Sequence, residues 1–193
     1  MRRLIYQVAC SADGFIAHRD GSLDGFPDGD HVADFLRTYD WFDTVLMGRK
    51  TYEVALREGV TNPYPQMRQY LFSRTMQQTP DENVHLISDD AQQLVTRLKQ
   101  EDGKAIWLCG GAELAGTIFC AGLIDEVILK VNPLLLGTGI PQFAGAIEQT
   151  RLHLTECKRY ESGVVRLRYD VPQSRTLYSR QLVKQGYTAS KTA

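Results

Sequence analysis

The chain has no excess of positive charge, no long apolar run and no cluster of cysteines, and each absence removes a class of function. Formal net charge is −1 over 193 residues, so nothing draws the protein in bulk to nucleic acid or to an anionic membrane surface. After the basic Met1-Arg2-Arg3, the apolar stretch reaches only Cys10 and is broken by Gln7 and Ser11, too short for a membrane span or a secretory signal. We therefore expect a cytoplasmic protein that engages neither nucleic acid nor membrane. Cys10, Cys109, Cys120 and Cys157 are widely spaced and three lie in apolar stretches, which reads as buried free thiols rather than disulfides or a metal site. There is also no internal repeat, low-complexity tract or linker. Hydrophobic residues make up 43% of the chain, enough for a sizeable core, and the length suits one domain, since domains commonly run to about 100–150 residues. We expect that domain over residues 1–172, with the polar stretch 173–193 either a tail or an arm against a partner subunit.

What is present is a strand-glycine-helix junction, repeated in varied form. Ile106, Trp107, Leu108 and Cys109 are apolar on both faces, as in a strand buried within a sheet, and they end in Gly110 and Gly111. Leu114, Ala115, Ile118 and Phe119 then mark one face of a helix that stops near Gly122. Such a junction binds anions, because glycine admits close approach and the first helical turn presents free N–H groups. It also occurs for purely steric reasons. A second junction joins the strand Thr44–Met47 to Gly48, Arg49, Lys50 and Thr51 at a helix start. Cations there oppose the helix dipole, so either an anion sits nearby or the side chains reach into water. The third passes from Gln69–Phe72 to Ser73, Arg74 and Thr75.

The intervening segments complete an alternating pattern. Arg3 to Cys10 reads as a first strand and Asp13-Gly14 as a sharp turn. The Asp- and Gly-rich segment 18–29 is a loop, either a lid over a site or a surface excursion. Asp30 to Tyr39 reads as a helix with Asp30 as N-cap. Val84–Ser88 is a strand, Ala91–Lys99 an amphipathic helix, and Asp125–Val131 a strand. The segments 152–160 and 164–171 form a final antiparallel hairpin. Alternating strands and helices imply an α/β fold whose ligands bind beyond the carboxyl ends of the strands. Three such ends with phosphate-suited groups match a dinucleotide carrying an extra phosphate, where Arg49 and Arg74 would discriminate for a 2′-phosphate. The spacing is not Gly-x-Gly-x-x-Gly, which disfavours an ordinary Rossmann domain.

Leu46-Met47-Gly48-Arg49-Lys50-Thr51-Tyr52-Glu53, Leu71-Phe72-Ser73-Arg74-Thr75 and Cys109-Gly110-Gly111, in that order, resemble the dihydrofolate reductase fold. Ser11-Ala12-Asp13-Gly14-Phe15-Ile16-Ala17, with Gly122 to Val127 and Pro133 to Gly139, resembles more closely its riboflavin-biosynthesis reductase branch, the RibD C-terminal domain family. The resemblance implies a mixed, mostly parallel central sheet flanked by helices, and NADPH as cofactor. By position it places Gly48, Arg49, Lys50 and Thr51 on the phosphates and adenosine, and Ser73 and Arg74 at the 2′-phosphate. Gly110, Gly111, Ala112, Glu113 and Leu114 would cradle the pyrophosphate, with Ala9 and Ile16 beside the nicotinamide. It further implies a homodimer. The deaminase half of the riboflavin enzyme, with its His/Cys/Cys zinc signature, is absent. A carboxylate that polarises the acceptor would be Asp30 or Asp34, each with an ordinary reading as cap or exposed helix residue, or Asp13, a turn aspartate. His18 and His31 are further proton-donor candidates. The implied activity is hydride transfer to a small heteroaromatic or carbonyl compound, pterin-like or pyrimidine-like. The alternative is a non-catalytic NADP(H)-binding sensor or dimeric interaction protein.

Overall fold

A computed structural model describes residues 1–88 and 90–172; the segment 173–193, read above as tail or dimer arm, lies outside the described residues. The strands are β1 (Leu4–Ser11), β2 (Phe15–Ala17), β3 (Phe42–Gly48), β4 (Arg68–Phe72), β5 (Val84–Ile87), β6 (Ala105–Gly110), β7 (Glu126–Asn132), β8 (Ile140–Pro141), β9 (His153–Arg159) and β10 (Val165–Asp170). The helices are α1 (Asp30–Arg37), continued by a 3-10 turn over Thr38–Trp41, α2 (Arg49–Arg57), α3 (Ala91–Gln100) and α4 (Ala112–Cys120). Eight strands form one sheet in the order β5-β4-β3-β6-β1-β7-β10-β9, and β2 with β8 makes a separate two-stranded ribbon. Pairing is parallel from β5 through β7. It turns antiparallel at β10 and again at β9, the expected hairpin.

The alternation of side chains across these strands builds two cores. Leu4, Tyr6, Leu46, Ile106 and Leu108 face α3 and α4, packing on Val95, Leu98, Ile118 and Phe119. Ile5, Val45, Met47, Trp107 and Ile128 face the other way, against Tyr52 of α2 and Phe35 and Tyr39 at α1. Both faces are covered, which is why the central strands read as continuous apolar runs.

Two local readings are corrected. Gly29, not Asp30, is the N-cap of α1; the Asp30 carboxylate instead accepts the backbone N–H groups of Glu161 (2.8 Å) and Ser162 (3.3 Å) in the hairpin turn. None of the four cysteines is in a disulfide, but only Cys10 is buried; Cys109 is half-buried, and Cys120 and Cys157 are exposed. Helix α4 ends as expected, with Gly122 in the left-handed region at φ +72°.

Candidate active site

The carboxyl ends of β4, β3 and β6 lie side by side and point the same way. Gly48 pairs with Phe72 and Met47 with Gly110, so Ser73, Gly48 and the Gly110-Gly111 turn share one rim of the sheet. Thr51 in the first turn of α2 joins two of these loops, its hydroxyl accepting the Gly111 N–H at 2.9 Å. The glycines differ in kind. Gly110 has φ +150° and needs glycine for its backbone. Gly48 (φ −77°) and Gly111 (φ −37°) both lie outside the left-handed region, and a Cβ on either would meet nothing closer than 3.7 Å and 3.5 Å respectively. Neither a left-handed backbone nor packing demands glycine at these two positions, yet both face the same rim. The helices that begin there, α2 and α4, have no side-chain cap, so their first-turn N–H groups remain open to a ligand.

The other residues expected at the cofactor fall around this rim in different states. Arg49 is paired with Glu53 one turn along α2, so the cation that opposes the helix dipole has a carboxylate neighbour. Lys50 and Arg74 are exposed, and Arg74 has no ion-pair partner among the described residues. The Ser73 hydroxyl is buried and accepts the N–H groups of Met76 (2.9 Å) and Thr75 (3.2 Å), which fixes the turn that carries Arg74. Ala112 and Leu114 bury their side chains, so what they can offer the rim is backbone, whereas Glu113 exposes its side chain. Ala9 and Ile16 are half-buried, on β1 and on the ribbon strand β2.

The candidate carboxylates are each already engaged. Asp13 accepts Ser11 Oγ (2.5 Å) and the N–H groups of Gly137 (2.7 Å) and Leu136 (3.2 Å), tying the first turn to the glycine-rich bend; these bonds hold its carboxyl below the usual range. Asp30 is held low by the Glu161 and Ser162 bonds described above. Asp34 takes a hydrogen bond from Tyr160 and ion pairs from Arg166 (2.7 Å) and Lys158 (2.9 Å), which together depress its pKa, the tyrosine foremost. His31 is buried; burial, with Lys130 nearby, lowers its pKa, and its Nδ1 meets Ser162 Oγ at 3.1 Å. His18 lines a surface depression with Arg19, Asp20 and Thr138, its Nε2 3.1 Å from the Asp24 carbonyl oxygen.

Beside the rim, on the α1 side of the sheet, stands an aromatic wall that the sequence reading did not single out. Tyr64, Tyr39 and Phe35 surround Trp107 at ring distances of 4.9, 5.4 and 5.9 Å. The Tyr64 hydroxyl lies 3.6 Å from Cys109 Sγ, and burial pushes that thiol up to about 11, so it stays protonated and is no nucleophile at neutral pH. Lys130 of β7, level with Ala9 of β1, completes the group, its ammonium 5.4 Å from the centre of the Phe35 ring. No group of three metal-ligating side chains occurs among the described residues.

This arrangement defines a dihydrofolate reductase-like protein: a mostly parallel sheet, covered on both faces, with glycine turns gathered on adjacent strand ends. The chain belongs to the RibD C-terminal domain family, whose model matches residues 2–166. A Bacillus subtilis (strain 168) relative, the uncharacterized protein YwjB, is 38% identical over 168 residues, covering 84% of this chain and 95% of its own. Among solved structures, a putative riboflavin biosynthesis protein from Shewanella sp. PV-4 matches with a TM-score of 0.76 at 24% identity, over 88% of this chain and 99% of that one. The diaminohydroxyphosphoribosylaminopyrimidine deaminase/5-amino-6-(5-phosphoribosylamino)uracil reductase of Thermotoga maritima matches at 0.67 and 11% identity, over 89% of this chain but 57% of that one. At these identities the structural matches establish the fold. The resemblance read from the motifs is borne out in family and in architecture.

Proposed function

We propose that the protein is an NADPH-dependent reductase that delivers hydride to a small heteroaromatic or carbonyl acceptor, pterin-like or of the riboflavin-pathway pyrimidine kind. The observation that carries this reading is the pair Gly48 and Gly111: two glycines on one rim that neither a left-handed backbone nor packing requires, facing open helix N-termini. Bare backbone at that point serves a ligand that must come close, and a pyrophosphate is such a ligand. The bound cofactor would supply the hydride. The chain's own part is to hold the pyrophosphate on Gly48, Thr51 and Gly110 to Leu114, and to meet the 2′-phosphate with Ser73, Arg74, Arg49 and Lys50. Ala9 and Ile16 border the nicotinamide, and the aromatic wall around Trp107 excludes water from the acceptor. Family and fold support an oxidoreductase in general terms.

A second reading, an NADP(H)-binding sensor or dimeric interaction protein without turnover, draws on a specific observation: Asp13, Asp30 and Asp34 are all committed to other bonds. We assign these three to holding loop and helix in place. No described helix is long and apolar enough to cross a membrane. We also infer a homodimer working in the cytoplasm; sedimentation giving a monomer at micromolar concentration would remove the dimer.

Fluorescence titration with NADPH and NADH tests the reductase reading, followed by loss of reduced-nicotinamide absorbance across a panel of pterins and pyrimidines. Tighter binding of NADPH with turnover of a panel member is the expected outcome. Binding without turnover favours the sensor, and no binding overturns both.

A further inference from the structure

Among the described residues, buried and half-buried Lys and Arg side chains are paired with carboxylates, with one exception. Arg2 faces Asp43, Arg49 faces Glu53, Lys99 faces Asp125, Arg166 faces Asp34 and Glu156, and Arg168 faces Glu126. Among the described residues Lys130, half-buried, forms no ion pair or hydrogen bond, and its ammonium lies over the Phe35 ring. It stands in a row of three cations across the sheet, since Lys130 pairs in register with Arg166 and Arg166 with Lys158. Asp34 on α1 neutralises Arg166 and Lys158 and leaves Lys130 out. An ammonium withdrawn from water without a counter-ion is costly, and burial lowers its pKa, with Asp28 of the 18–29 loop acting on it only through space.

Its location gives that unpaired charge a use. Lys130 lies beside Ala9 on the neighbouring strand, and β7 is two strands from β6 and the Gly110 turn, roughly 10 Å at the usual strand spacing. The ammonium faces α1, on the same side as Trp107 and Tyr39. We propose that Lys130 anchors the acceptor through an anionic oxygen group, a carboxylate or a phosphate, and so selects charged substrates over their neutral counterparts. The ligand's identity as an acceptor rests on the reductase reading; the anion preference itself does not, and it is measured without cofactor.

The test uses the full chain and two matched pairs of probes, uracil with orotate and uridine with uridine 5′-monophosphate, titrated calorimetrically with and without NADP+. The charged member of at least one pair should bind at least tenfold tighter than its neutral partner. Lys130→Met should abolish that advantage while leaving the neutral member's affinity in place, and Lys130→Arg should keep most of it. Which pair responds tells a carboxylate on the ring from a phosphate at a distance. Circular dichroism melting confirms that each variant is folded, and Lys130→Gln replaces Lys130→Met if the latter is not. Equal or undetectable binding of both members of each pair to the wild type overturns the proposal, as does an advantage that survives in folded Lys130→Met. A wild type that discriminates by charge but binds no NADPH keeps Lys130 as an anion anchor and discards the reductase.

Discussion

Gly111 separates two explanations for a glycine in a strand-to-helix turn. If the turn alone needed it, alanine would strain the backbone or strike a neighbour; instead the added Cβ meets Thr51 Oγ1 at an ordinary 3.5 Å. Gly111→Ala should therefore melt close to the wild type and bind NADPH about tenfold or more weakly, as read by thermal denaturation and fluorescence titration. A variant that unfolds early and binds normally would return the glycine to a structural role. Arg74 allows a sharper comparison, because it is exposed and free of any described ion pair, so little of the fold depends on it. Arg74→Ala should weaken NADPH roughly ten- to hundredfold, the scale of a charge-assisted contact, and leave NADH nearly unchanged. Equal loss for both cofactors would remove Arg74 from the 2′-phosphate.

Helix α4 carries the rim's open N-terminus, and what holds it there is a close contact at its middle. A Cβ on Gly116 would come within 2.0 Å of the Ala144 carbonyl oxygen, and Ala144 N–H donates to Ala112 at 3.0 Å. Gly116→Ala, favourable by helix propensity alone, should instead destabilise the protein by about 1–3 kcal/mol through overpacking, seen as a lower urea midpoint. Helix α1 is held differently, by Asp34 against Tyr160, Lys158 and Arg166. Asp34→Asn should cost about 1–2 kcal/mol at neutral pH. The sign follows from a folded pKa below the ordinary 3.8: the contribution is complete above that value and is lost as pH falls through the depressed one. The stability gap between wild type and Asp34→Asn should thus hold steady down to about pH 5 and close below about pH 4.

These contacts also explain what the sequence could and could not disclose. Parallel strands such as β3 and β6 announce themselves because both faces are buried, and the glycines that end them are visible in the chain. The ribbon strands β2 and β8 do not, being three and two residues long, with Gly139 admitted only because a Cβ there would sit 2.4 Å from the Ala17 carbonyl oxygen. The role of Asp34 was hidden because its partners lie 124 to 132 residues away. Lys130 is not legible in the sequence, because a lysine in a strand reads as a residue facing water, and the packing of Phe35 above it shows otherwise.

The molecule is built on one eight-stranded sheet whose middle is far better protected than its ends. β1, β3 and β6 are paired on both sides and covered on both faces, whereas β9 is an outer strand with mostly exposed side chains. Amide exchange should accordingly be slowest in β1, β3 and β6 and fastest among the strands in β9, as mass spectrometry after deuterium labelling would read. Exchange in β6 as fast as in β9 would mean that the rim is not rigidly held before a ligand arrives.

Helix α1 is translated early, yet the groups that fasten it, at positions 158 to 166, come from the last described hairpin. The roof above Lys130 therefore depends on that hairpin, whereas the glycine turns at 48 and 110 lie in the part of the chain before it. A chain halted before residue 153 would contain both turns and lack what fastens α1 over Lys130.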